Sequence, residues 1–424
     1  MVFVCSEERR PHLQFETSNT PVETGASPIL VKIQPRYEKV KPPIVFSLFF
    51  CYIQFMADII DYIVWRGDIP FKVSPFNEID ALILCQLLYI DFDGIVSADF
   101  KDGITIKEAS QKYALRYMNG DSEPFGVFIN PRSAELLEEA GNSVRFADII
   151  LKGFVNDINR KAEKQFAAFT ASISPRIHCI VYRGTDDTLV GWKEDFNMVY
   201  RTSVPSQQAA LDYLEKTATH CRGTLYTAGH SKGGNLAVYA PAFCSRKLFK
   251  RIKTIFCFDG PGFNSDTCKR GDIAGAYAKA RCFVPESAVV GVLLQHSDTY
   301  TVIESSVPNG INQHDAFSWM LRGKTFAVKP KRNDESLFTE KTVAAWIKQV
   351  PEEAQAEFIN TLFDAASSGG ALTLTELKNR WLQTSAAVLK KLHNADPETK
   401  ERIFTIFKLF LKAVRSNLPV LTNS

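Results

Sequence analysis

The sequence predicts an α/β protein: a mostly parallel sheet flanked by helices, with helices added before and after it. Two observations carry this expectation. Short apolar runs rich in β-branched and aromatic residues (177–185, 224–228, 253–263, 279–287 and 300–306) alternate with amphipathic helical stretches, the pattern of strand–helix–strand units. The segments 61–170 and beyond 330 carry helical periodicity instead.

Residues 1–43 are polar, proline-bearing and without periodicity, as a disordered segment would be. The apolar run "IVFSLFFCYIQFMADII", 44–60, falls short of the ~20 residues a spanning helix needs and lies too far along the chain for an ordinary signal peptide. The favoured reading takes Met56 as the native start and 1–55 as a disordered or non-native extension. Buried or interfacial structure and a membrane segment are the alternatives.

In "SPFNEIDALILCQLLYIDF", Ser74 and Pro75 read as a helix cap and first helical residue. Ile79, Leu82, Ile83, Gln86, Leu87 and Ile90 trace one face. "ITIKEASQKYAL", "SAELLEEAG" and "VNDINRKAEKQFAAFTA" continue as helices. "IHCIVYRGT" then reads as a buried strand, "SQQAALDYLEKTATH" as an amphipathic helix, and "TLYTA" as the next strand. "NLAVYAPAFCSRKLF" is helical, and three further strands follow in 253–263, 279–287 and 300–306. After residue 330, Pro351 opens a helix that stops at Gly369-Gly370. Thr373 and Glu376 match a capping box, and Asp396-Pro397 caps a final apolar helix. Packing of that helix on the sheet domain is favoured over contact with a membrane surface. The expected organisation is the extension 1–55, a sheet domain over 56–330 and a helical region over 331–424.

Composition narrows the function. A net charge of +3 on 424 residues, without basic runs interleaved with aromatics, argues against nucleic acid. The nine cysteines are odd in number and form no C-x-x-C pair, which indicates neither a zinc site nor a disulfide framework. A reducing, cytoplasmic setting is expected. No metal or organic cofactor is implied.

The stretch "LYTAGHSKGGNLAVYA", 225–240, carries the chemistry. Gly229-His230-Ser231-Lys232-Gly233 fits G-x-S-x-G between a strand and a helix, the context in which a serine hydroxyl stands exposed at the sheet's carboxyl edge. Side chains two before or two after it would collide with neighbouring backbone. A serine nucleophile needs a base, which this architecture supplies later in the chain. His12, His178, His220 and His230 come too early, and His393 sits in a charged tail helix. His314, in "GINQHDAFSW", is the preferred base and His296 the alternative. Glu286, ending "RCFVPES", is the preferred acid, followed by Asp259 in "FDGPGF", with Asp298 and Asp315 also near. For the oxyanion, one donor is the amide of Lys232. The other comes from the loop after "YRG", at Thr185 or Asp186.

"YRGTDDTLVGWKEDFNM" followed by "AGHSKGGNLAVYAP" resembles the class 3, fungal-type lipase branch of the α/β-hydrolases. A bacterial set of uncharacterised lipase-like α/β-hydrolases resembles it more closely, through "DYIVWRGDIPFKVSPFNEIDALIL", "VPESAVVG" and "QHDAFSW". The resemblance spans roughly 56–330 and implies an α/β-hydrolase fold. It carries the nucleophile onto Ser231, the base onto His314 and the oxyanion residue onto Thr185. Where class 3 lipases hold an aspartate, the corresponding place holds Glu286. Lys232 stands where they have an apolar residue. Their lid corresponds to 188–204, with Leu189, Trp192, Phe196 and Met198. The implied activity is cleavage of a small-molecule or lipid ester. The alternatives are an inactive binding or regulatory protein on the same fold, and acyl transfer or thioester cleavage by the same triad.

Overall fold

The computed structural model describes residues 57–118, 130–308 and 310–367, with a few positions between 372 and 412. The extension 1–55 and most of the predicted last helix lie outside the described residues. Among the described residues no helix is long and apolar enough to cross a membrane, and the seven cysteines are unbridged.

Helix α1 spans Ile59–Arg66 and α2 spans Glu78–Leu87. The cap of α2 is Asn77, not Ser74. The Asn77 side chain accepts from the amides of Ile79 and Asp80, and Asp80 accepts from the Asn77 amide. This reciprocal box satisfies donors that the helix leaves orphaned. Every residue of α2 is buried, so the helix is enclosed rather than striped.

Strand β1 (Ile104–Thr105) leads into α3 (Ile106–Met118) and α4 (Ser133–Asn142). The next segment departs from the sequence reading. Residues 155–171, expected as helix, belong to an antiparallel hairpin of β2 (Ile150–Asn159) and β3 (Lys164–Ser174). The turn passes through Glu163, whose φ is 51°. Alanine, lysine and glutamate favour helix, but that preference is a weak prior which burial overrides. Gln165 to Ser172 are all buried, and a strand covered on both faces shows no alternation.

The remaining expected strands and helices follow in order, with further short elements between them. They are β4 (Ile177–Tyr182), α5 (Leu189–Asn197), α6 (Pro205–His220) and β5 (Thr224–His230). Then come α7 (Lys232–Phe243), α8 (Arg246–Phe249) and β6 (Ile252–Phe258). Helices α9 (Ser265–Arg270) and α10 (Ile273–Lys279) lead to β7 (Ala280–Pro285) and β8 (Thr301–Ile303). Short strands β9 (Leu321–Arg322) and β10 (Thr325–Phe326) pair with each other, and β11 (Val328–Lys329) rejoins the main sheet. Helices α11 (Asp334–Gln349) and α12 (Glu352–Ser367) follow.

The main sheet runs β1-β2-β3-β4-β5-β6-β7-β8-β11. It is parallel from β4 to β8 and antiparallel at both margins. The expected mostly parallel sheet is therefore a mixed one with a parallel centre, because the β2–β3 hairpin, β1 and β11 add antiparallel strands at its margins. Two cores cover its faces. Successive residues of β6 divide between them: Phe256 and Phe258 join one, Ile255 and Cys257 the other, as the two-residue period of a strand requires.

Candidate active site

Strand β5 ends at His230 and α7 begins at Lys232, leaving Ser231 alone at the bend with φ 58° and ψ −132°. A non-glycine residue there costs on the order of 1–3 kcal/mol and persists only where its surroundings impose it. Ser231 N donates to Phe258 O at 2.9 Å, and Gly234 N donates to Ser231 O at 2.8 Å. A Cβ on Gly229 would lie 1.9 Å from Gly233 O, and one on Gly233 would lie 2.1 Å from Tyr182 O. Both glycines are required by close backbone approach.

One strand over, Asp259 follows β6 at φ 45° and is buried. Its Oδ1 accepts from Gly291 N at 3.0 Å, and its Oδ2 lies 2.6 Å from His314 Nδ1. A carboxylate only accepts, so Nδ1 carries the imidazole proton and Nε2 keeps a lone pair. His314 ends a short 3₁₀ turn, Ile311–His314, on the loop after β8.

His230 supports that loop. Its ring stacks on His314 with centroids 4.6 Å apart. Its Nε2 donates to His314 O at 2.8 Å, and its Nδ1 accepts from Tyr89 Oη at 3.3 Å. Burial, with His314 beside it, pushes the His230 pKa well below its usual range, which keeps the ring neutral in that tautomer. Trp319 Nε1 donates to Gln313 O at 2.7 Å from the other side.

The carboxylate nearest His314 differs from the one preferred in the sequence. The Glu286 carboxylate lies 4.0 Å from Lys329 Nζ, while His314 bonds Asp259. The reason is strand order: β6 adjoins β5, the strand that leads into Ser231, whereas Glu286 follows β7, one strand farther out. Asp315 accepts from Asn130 Nδ2 at 2.7 Å and caps the Phe317 amide. Asp298 is exposed, and His296 pairs with Glu340 at 3.2 Å.

Thr185 follows β4 and lines the same cleft as Ser231 and His314. Its hydroxyl donates to Asp195 Oδ2. Burial pushes the Asp195 carboxyl up to about 6. The Lys232 amide lies in the first turn of α7, where helix N–H groups have no intrahelical acceptor and favour an anion. The Lys232 side chain turns inward and is 1% exposed. Its ammonium is held by Gln165 O at 2.9 Å, the Gln165 side chain and Glu194 Oε2 at 3.2 Å. The lysine charge is thus neutralised beneath the turn, and the cleft keeps apolar walls: Trp192, Met198, Val290, Leu293, Ile311 and Trp346 among them. The cleft volume is about 220 Å³.

Ser231 and His314 line one cleft, without a hydrogen bond between hydroxyl and ring among the described residues. Without bound substrate, catalytic hydrogen bonds are often long or poorly aligned and tighten only in the complex. Two contributors escaped the sequence reading. Tyr89 lies 141 residues from His230 and carried no signal. Asp195 sits inside the stretch 182–198, where its partner Thr185 was the residue singled out.

The family model for Mbeg1-like proteins matches residues 140–364, more than half of the chain and every site residue named above except Tyr89 and Asn130. Among solved structures, the crystal structure of M37 lipase is similar at 14% identity, covering 52% of this chain and 70% of that chain, with a TM-score of 0.33. No curated protein matches the chain. The chain belongs to the Mbeg1-like family, a lipase-like family.

Proposed function

We propose that the protein is a serine hydrolase that cleaves carboxylic esters, lipid esters included, through an acyl-enzyme. The observation that carries this reading is the Asp259–His314 bond of 2.6 Å facing the cleft in which Ser231 occupies a strained bend. Two costly arrangements, positive φ at both Ser231 and Asp259, meet in one place, where strain commonly marks function.

In this mechanism His314 Nε2 takes the Ser231 proton as Oγ attacks the ester carbonyl. Asp259 holds the Nδ1 proton and stabilises the imidazolium that forms. The amides of Thr185 and Lys232 receive the oxyanion. His314 returns the proton to the leaving alcohol, and water, deprotonated by His314, then releases the acid. Glu286 has no part in this account.

Hydrolysis of 4-nitrophenyl butyrate by the wild type, with loss to background in Ser231→Ala and His314→Ala, is the expected result. Undiminished turnover in Ser231→Ala contradicts the reading.

A further inference from the structure

The cleft at Ser231 is small: its 220 Å³ falls below the ~300–1,000 Å³ of pockets that bury a whole drug-sized ligand. A groove of about 550 Å³ adjoins it. Val199, Leu293, Leu294, Val343 and Ile347 line both, so the two spaces meet along one shared apolar sill.

The 291–295 segment of that sill is fixed rather than loose. Gly262 N donates to Leu293 O at 2.9 Å, and Phe263 and Gln295 exchange two backbone bonds of 2.9 Å. Leu294 is held at φ 63°. The segment begins at Gly291, whose amide bonds the carboxylate of Asp259. The wall of the groove and the acid beneath the base are therefore one connected structure.

The groove floor is apolar, with Phe263 and Val292 buried in it. Its rim is polar but has little net charge. Asp266 pairs with Lys269 at 2.9 Å, and Glu340 is bonded by Arg332 and His296. Lys348 and Glu352 remain, with opposite signs.

We propose that this groove binds the alcohol limb of the substrate, and that this limb is uncharged and amphipathic. The proposal rests on the ester hydrolase reading. During turnover the acyl group stays on Ser231 while the alcohol departs, so a small apolar cleft suits a short acyl chain. The larger groove beyond the sill takes the alcohol and releases it. An apolar floor suits an alkyl segment, and a rim of cancelled charge suits hydroxyl or ether oxygens rather than a phosphate.

The probe is the butyrate ester of tetraethylene glycol monooctyl ether, with ethyl butyrate as the short control. Ala344→Trp on α11 and Ser265→Trp on α9 fill the groove from different elements. Both positions are exposed and line the groove but not the cleft. Each substitution should lower kcat/KM for the glycol ether ester by about tenfold or more, the loss of one modest apolar contact set. Turnover of ethyl butyrate should stay within about twofold of wild type, less than the tenfold that 1.4 kcal/mol represents. Equal losses on both esters, or none on either, overturn the proposal.

A binding measurement separates the two readings. Calorimetry of the free glycol ether with Ser231→Ala should show binding that Ala344→Trp weakens. No binding, or binding that neither groove substitution alters, overturns the proposal without touching the hydrolase reading. Absent turnover of both esters by the wild type overturns the hydrolase reading, and the alcohol-limb assignment with it.

Discussion

His230 Nε2 lies 2.8 Å from the carbonyl oxygen of His314, so the residue before Ser231, the proposed nucleophile, holds the backbone of the proposed base. His230 is a positioning residue in this arrangement. His230→Phe should lower kcat by up to about 10²-fold, the scale of a 1 Å misplacement, with KM little changed. His230→Gln keeps a donor and should recover much of that loss. Steady-state kinetics on a short ester, where KM and kcat separate, provide the check.

Asp259 and Glu286 make opposite predictions. Asp259→Asn should reduce kcat by about 10⁴-fold, as in the serine protease triad when the acid becomes an amide and the tautomer is lost. Glu286→Gln removes a half-buried charge 4.0 Å from Lys329, which lies closer to Glu304, and should leave kcat within about twofold, because so long a pair contributes little. A rate profile of both variants over pH decides between the two carboxylates.

Histidine burial predicts an acid-sensitive fold. Desolvation depresses both His230 and His178 below the ordinary 6.5. The unfolded chain therefore binds protons first as pH falls, and stability drops below about 6.5 toward the depressed folded values. Asp195 acts in the other direction. Its carboxyl is raised from 3.8 to about 6, so its contribution is present below 3.8 and is lost as pH rises through about 6. His230→Phe should flatten the acid-side fall in the urea midpoint. Asp195→Asn should steepen it by removing the opposing contribution.

The Lys232–Glu194 pair is buried on both sides. Lys232→Met strands the Glu194 carboxylate and should cost about 3–5 kcal/mol. Adding Glu194→Gln should return part of that loss, since the uncompensated charge disappears. Urea denaturation of the two single variants and the double variant measures the coupling.

The elbow was legible because its sterics act within a few residues: Gly229, Ser231 and Gly233 constrain one another through a single bend. The place of His314 beside the cleft followed from chain order together with its loop after the strand at 300–306. The carboxylate beside His314 was not legible, because two strands end in a carboxylate, and which one meets the imidazole depends on how the loop after β8 folds back over the sheet. The hairpin β2–β3 was hidden for a different reason. Burial of both faces of β3 erased its alternation, while "RKAEK" lent the segment helical composition. Lys232 shows the same limit: its charge is conspicuous in sequence, but the acceptors that absorb it come from β3 and α5.

The most direct test of the central claim is covalent. A fluorophosphonate reacts with a serine only when a neighbouring base activates it. Intact-mass and peptide analysis should find one phosphonyl adduct, on Ser231, abolished in Ser231→Ala and strongly slowed in His314→Ala and Asp259→Asn. A wild-type protein that remains unmodified, or is modified elsewhere, would contradict the account.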